Sequence, residues 1–152
     1  MIIRRLKRDD IAAMRALNAV FAETFEDRRT YEGAPPDEAW LARLLGSDNF
    51  VALAACDGPR IVGGLCAYVL DKFEQARREI YIYDLAVAEA HRRRGVATAL
   101  IERLRLIARE AGAWVIYVQA DPVDPPAIAL YSKLGVREDV LHFDIAPAPR
   151  ES

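Results

Sequence analysis

Positions 79 to 98 read EIYIYDLAVAEAHRRRGVAT, and the fold of the chain turns on this stretch. An apolar run rich in β-branched and aromatic residues ends at Val87, as a buried strand would. A short polar turn follows, and Arg92-Arg93-Arg94-Gly95-Val96-Ala97 opens a helical pattern that continues from Thr98. A strand that feeds a helix through small residues leaves the first helical amides without backbone partners. Those amides and the helix dipole favour an anion. Gly95 and Ala97 matter because a larger side chain there would keep a phosphate from the backbone.

Working outward, Ile2-Ile3-Arg4-Arg5-Leu6 reads as a short strand. Asp9 or Asp10 caps a helix to about Phe25, with Ile11, Met14, Leu17, Val20 and Phe21 on one face. Residues 26–36 are polar, and Asp37 caps a second helix carrying Trp40, Leu41, Leu44 and Leu45. Phe50 to Ala55 and Arg60 to Leu70 form a hairpin, and a charged connection leads into the strand Glu79–Val87. The next helix runs from about Val96 to Glu110 and stops at Gly112. Trp114 to Ala120 is a strand, and Pro125 or Pro126 opens a helix to Leu134, closed by Gly135. Val136 to Ile145 is expected to end the fold as a strand pair or one broken strand. The order is mixed α/β, with a hairpin meander followed by a crossover helix. One domain over residues 1–146 and a loose tail over 147–152 are expected.

A length of 152 residues suits one domain with a substantial core. The formal net charge of -2 argues against a general nucleic-acid binder. No apolar stretch is long enough to cross a bilayer, and Met1-Ile2-Ile3-Arg4-Arg5 is unlike a signal peptide, so a cytoplasmic location is expected. Cys56 and Cys66 agree with a reducing compartment. Around the turn Asp57-Gly58-Pro59-Arg60, Cys56 would face about position 61, too far from Cys66 for a disulfide. His91 and His142 lack partners at metal-ligand spacing, so no metal is expected.

Neither GxxxxGK[ST] nor GxGxxG is present. What stands instead, Arg92-x-x-Gly95-x-Ala97, resembles the R/Q-x-x-G-x-G/A pyrophosphate loop of GNAT-type N-acetyltransferases. The element order is similar to that family along nearly the whole chain. The resemblance implies the GNAT acyltransferase fold, a central mixed twisted sheet flanked by helices, with acetyl-CoA as cosubstrate. It assigns the diphosphate to Arg92, Arg93, Arg94, Gly95, Val96, Ala97 and Thr98. It assigns the pantetheine arm to backbone groups of Leu85, Ala86 and Val87, with one amide polarising the thioester carbonyl where the strand breaks. Whether this strand carries a bulge is not readable from its residues.

Acetyl transfer also needs a base for the ammonium and an acid for the departing thiolate. Asp84 is the candidate base, because a carboxylate inside an apolar strand is costly unless paired or useful. The alternative is that Asp84 bonds a neighbouring loop or arginine. The segment Pro126-Ala127-Ile128-Ala129-Leu130-Tyr131-Ser132-Lys133-Leu134-Gly135-Val136 resembles a family element whose tyrosine lies near the cofactor sulfur. That makes Tyr131 the candidate acid. Acidic and aromatic residues at 25–32, 119–124 and 138–144 suit a polycationic acceptor. From these and the central strand, Tyr81, Tyr83, Glu79, Gln119, Asp121 and Asp144 are the candidate acceptor residues. Arg28-Arg29 would oppose a cationic ligand unless the pair points away.

Several strings, among them Phe50–Ala55, Ala67–Leu70, Glu79–Val87, Val115–Asp121 and His142–Ile145, resemble the aminoglycoside 3-N-acetyltransferases within the family. This implies acetylation of the 3-amino group of a 2-deoxystreptamine antibiotic of gentamicin type, and with it resistance. Members are often dimers, and a homodimer suits the apolar content. Two readings compete: an acetyltransferase for another amine, such as a polyamine or a peptide, and a non-catalytic acyl-CoA-binding module.

Overall fold

The computed structural model describes residues 1–151. The chain divides into two compact units, Met1–Gln119 and Ala120–Ser152. The first holds β1 (Ile2–Arg5), α1 (Ile11–Thr24), α2 (Arg28–Glu32), α3 (Glu38–Leu45), β2 (Phe50–Asp57), β3 (Arg60–Asp71), β4 (Arg78–Val87), α4 (Val96–Glu110) and β5 (Ala113–Val118). The second holds α5 (Pro125–Leu134).

The five strands form one sheet in the order β1-β2-β3-β4-β5. The first three ladders are antiparallel and β4–β5 is parallel, so α4 is the crossover helix. Cross-strand partners share a face. One face therefore carries Phe50, Ala52, Ala54, Cys66 and Ala86, which pack with Met14, Leu17 and Phe21 of α1 and Leu41 and Leu45 of α3. The opposite face carries Leu53, Leu65, Val69, Ile80 and Ile82, all buried, while α4 buries Leu100 and Leu104 against the sheet. Burial on both faces explains why β2 reads as a continuous apolar run rather than an alternation. A side chain at Gly64 would collide with Leu17 and with the carbonyl of Leu53, so its absence lets α1 lie close to the sheet.

The expected elements recur with shifted ends. Cys56 pairs with Ile61, and both cysteines are free. Asp37 caps α3 by accepting from the Trp40 amide at 2.8 Å. Two differences stand out. The polar segment after α1 contains α2, a one-turn helix capped by the Asp27 carboxylate on the Thr30 amide at 3.0 Å. Residues 136–145 form no strand, and among the described residues the sheet holds no sixth member. A strand is not self-sufficient, because its amides and carbonyls need a neighbouring ladder. Here Leu141, Phe143 and Ile145 alternate as a strand would, yet remain 84%, 77% and 91% exposed.

Candidate functional site

The site is built on β4, which changes character half way along. From Arg78 to Ile82 it is paired on both sides, to β3 and to β5. The β5 ladder ends at Ile82 opposite Val118, so Tyr83 to Val87 keep only β3 as neighbour. The two parallel strands thus part at this point. The β3 ladder also slips here: Ala67 faces Ile82, while Cys66 faces Asp84. Tyr83 is the extra residue, and β4 carries a bulge. In a regular strand Asp84 would point to the opposite face from Glu79 and Tyr81. The bulge turns it onto theirs.

Around Asp84 the sheet presents a row of phenols. Tyr81 stacks on Tyr117 at 4.8 Å, Tyr83 meets Tyr81 at 5.7 Å, and Tyr68 meets Tyr83 edge-on at 5.8 Å. The Tyr81 hydroxyl donates to the Gln119 amide oxygen at 3.0 Å. Glu79 is held by Lys72 at 3.1 Å. Of the six candidate acceptor residues, Tyr81, Tyr83 and Gln119 are linked in this row, while Glu79 lies further back on β4, paired with Lys72. Sequence reading did not single out Tyr68 and Tyr117, whose part depends on strand register.

Asp84 accepts a hydrogen bond of 2.7 Å from the hydroxyl of Tyr31 on α2. Burial raises its carboxyl above the ordinary range, and the Tyr31 bond draws it partly back. Burial, then the Asp84 bond, raises the Tyr31 phenol, which keeps its proton at neutral pH. The partner is neither the arginine nor the loop residue of the alternative reading, but a neutral phenol on a short helix within the segment that reads as polar. Arg28 instead pairs with Glu32 at 3.2 Å on the exposed side of α2.

At the far end of β4 the chain passes through a 3₁₀ turn, Glu89–His91, and enters the loop before α4. Arg93 and Gly95 both adopt positive φ, 61° and 77°. Left-handed backbone is easy for glycine and strained for arginine, so this loop is a held conformation. A Cβ at Gly95 would meet no atom of the chain within 4 Å. The glycine therefore answers to backbone geometry and to open space above the loop. No side chain caps α4. Its first turn closes with the Ala99 amide on the Gly95 carbonyl at 2.9 Å, which leaves the Val96, Ala97 and Thr98 amides at the mouth. Arg92 donates through Nε to the Val87 carbonyl at 3.0 Å, tying the loop to the strand. These residues fit a diphosphate: bare amides, a helix N-terminus and no side chain in the way. A shallow cavity of about 390 Å³ beside the loop is lined by Met1, Ile3, Asp57, Arg94, Gly95, Val96 and Ala99. Neither Asp84 nor any of the phenols around it lines this cavity.

The other candidates belong to the second unit. Tyr131 lies on α5, whose cap is Asp124 accepting from the Ala127 amide at 3.2 Å. Burial, with a smaller contribution from Asp124, raises its phenol, so it holds a proton at neutral pH. Asp121 accepts from the Val123 amide at 3.2 Å in a turn. Asp144 pairs with His142 at 2.9 Å and is highly exposed, outside any strand. No cluster of three or more His, Cys, Asp or Glu among the described residues could hold a metal ion. Among the described residues no helix is long and apolar enough to cross a membrane.

A splayed parallel pair, a bulged central strand and a bare helix start after it define an acyltransferase architecture. The sequence profile of the acetyltransferase (GNAT) family matches residues 13–136, and the chain belongs to that family. Enzymes of the family use acetyl-CoA. The chain is similar to a crystal structure of aminoglycoside acetyltransferase HMB0005 from an uncultured soil metagenomic sample. The two are 59% identical with a TM-score of 0.95, over 97% of this chain and 98% of that one. Aminoglycoside acetyltransferase meta-AAC0020, also from an uncultured soil sample and solved with sisomicin, is 32% identical with a TM-score of 0.89. That match covers 97% of this chain and 96% of the other. Among curated relatives, streptothricin acetyltransferase of Streptomyces lavendulae is 29% identical over 59% of this chain. The chain spans 44% of that relative's length and similarly small parts of the other curated relatives it matches.

Proposed function

We propose that this protein transfers acetyl from acetyl-CoA to the 3-amino group of 2-deoxystreptamine aminoglycosides of gentamicin type, and so confers resistance to them. The observation that carries this reading is the bulge at Tyr83, which sets Asp84 on the face of the phenol row, at the point where β4 and β5 part. Similarity at 59% identity to an aminoglycoside acetyltransferase supports the substrate class, and the position rests on the resemblance of several strings in this sequence to the 3-N enzymes.

Arg92 to Thr98 hold the diphosphate through main-chain amides. The unpaired edge of Leu85, Ala86 and Val87 takes the pantetheine arm in strand fashion, and one of its amides polarises the thioester carbonyl. Asp84 removes a proton from the ammonium. The freed nitrogen pair forms the C–N bond, the C–S bond breaks with its electron pair leaving on sulfur, and the nitrogen sheds its second proton to water. Tyr131 gives that thiolate its phenolic proton and is reprotonated from solvent. A carboxylate raised by burial serves as a base at neutral pH better than an ordinary one. The row of phenols with Glu79, Gln119, Asp121 and Asp144 receives a polycationic sugar, whose ring faces and ammonium groups both suit aromatic walls. In this reading the enzyme is residues 1–146, works in the cytoplasm, and needs no metal.

The deciding experiment offers the protein acetyl-CoA with gentamicin, spermidine or a peptide amine, and locates the new acetyl group by NMR. Acetylation of gentamicin at the 3-amino nitrogen is expected. Turnover confined to spermidine or peptide would overturn the substrate assignment. Coenzyme A binding with no turnover on any amine would leave only an acyl-CoA-binding module.

A further inference from the structure

Asp84 is the one carboxylate on the phenol-bearing face of β4 whose partner comes from so distant a part of the chain, and that partner is a neutral donor. The geometry points to Tyr31 as a positioning residue for acetyl transfer: its hydroxyl holds Oδ2 of Asp84 and leaves Oδ1 to face the incoming amine. This inference rests on Asp84 being the base.

The placement of Tyr31 is over-determined. Its ring packs against Phe21 at 5.8 Å and Phe25 at 5.9 Å, and those two stack on each other at 5.9 Å. Phe21 is fully buried in the α1 face of the core. The backbone of α2 is fixed in turn by the Asp27 cap and by the Asp27 amide bonded to the Ala22 carbonyl at 3.0 Å. A phenol held this way carries its hydroxyl to a fixed point over the sheet, and that point is 2.7 Å from Asp84. A carboxylate on a bulge has freedom about χ1 and χ2; one strong bond from a fixed donor removes most of it.

The bond also changes what Asp84 does with a proton. The titratable groups facing it are Tyr31 from α2, Cys66 and Tyr68 from β3, and Tyr81 and Tyr83 from β4, with Asp27 close enough to act on Tyr31. None of these is a cation. The phenol bond is therefore the interaction that favours the ionised carboxylate, against the burial that opposes it. Without it Asp84 would hold its proton to higher pH.

The test compares pH profiles of kcat/KM for gentamicin acetylation in the wild type, Tyr31→Phe, Phe25→Leu and Asp84→Asn. Tyr31→Phe keeps the ring and its packing, so coenzyme A affinity should be unchanged while the acid limb moves up by about one pH unit. Phe25→Leu loosens the aromatic cluster without removing the hydroxyl, and its limb should stay nearer the wild-type position than that of Tyr31→Phe. An inactive Asp84→Asn together with an unmoved limb in Tyr31→Phe overturns the role of Tyr31 and leaves the base assignment standing. Wild-type turnover in Asp84→Asn removes the base itself, and the inference goes with it.

Discussion

The two halves of β4 have similar composition and opposite purposes. Arg78 to Ile82 is regular, paired on both sides, and alternates between a phenol-bearing face and a core face. Tyr83 to Val87 is bulged, paired on one side, and continuous with the loop before α4. The first half does what a central strand does for stability. The second gives up a ladder and gains an unpaired edge, a carboxylate on the phenol face and a route to the helix mouth. Apolar and aromatic positions on both sides of Asp84 hide the change, because what differs is the neighbour rather than the strand.

Substitutions can break this contrast. The largest effect is expected from Asp84→Asn, which should lower kcat by about 10²- to 10⁴-fold with coenzyme A affinity retained. Wild-type-like kcat would remove Asp84 from the base role. Relative to the wild type, the same variant should become more stable as pH rises. Burial raises the folded-state pKa of Asp84, so the wild type loses stability as pH climbs through that value, while asparagine has no proton to lose. Thermal unfolding at a series of pH values reads this directly. In the regular half, Ile80→Ala should cost about 2–5 kcal/mol of stability, since the Ile80 side chain is fully buried. Denaturant unfolding measures it, and a loss below about 1 kcal/mol would mean that the core face is not rigid.

Smaller effects belong to the ends of the site. Gly95→Glu adds a strained φ and a negative charge at the helix mouth, and should weaken coenzyme A binding by about tenfold or more. Undiminished affinity in a calorimetric titration would contradict the cradle. Tyr131→Phe should lower kcat by roughly tenfold, at the low end for loss of an acid because water can supply the proton. The loss should grow above neutral pH. A rate equal to wild type across the whole profile would end the acid assignment.

Much of this architecture was legible in the residues. The strand–turn–helix at 79–98 could be read because a β-branched run, small residues and a helical period are local signals. The hairpin register at Cys56 and Ile61 followed from the turn between them. The bulge was not legible, because a bulge is a mismatch between two strands and β4 shows only one of them. Nor was the Tyr31–Asp84 bond, which joins residues 53 apart through a short helix inside a segment that reads as polar loop. The strand expected over 136–145 shows the opposite failure. Its alternating pattern is local and real, but a pattern does not supply a ladder.

Gly64 sets a mechanical tolerance for the whole face. Leu17 rests where a methyl group would be, so anything larger at that position would lever the first helix outward. Phe21 rides on that helix, Phe25 follows it, and Tyr31 leans on both. A hydrogen atom in the middle of β3 thereby governs the reach of a phenol over the next strand, and a core substitution with no contact to any substrate would detune the proposed base.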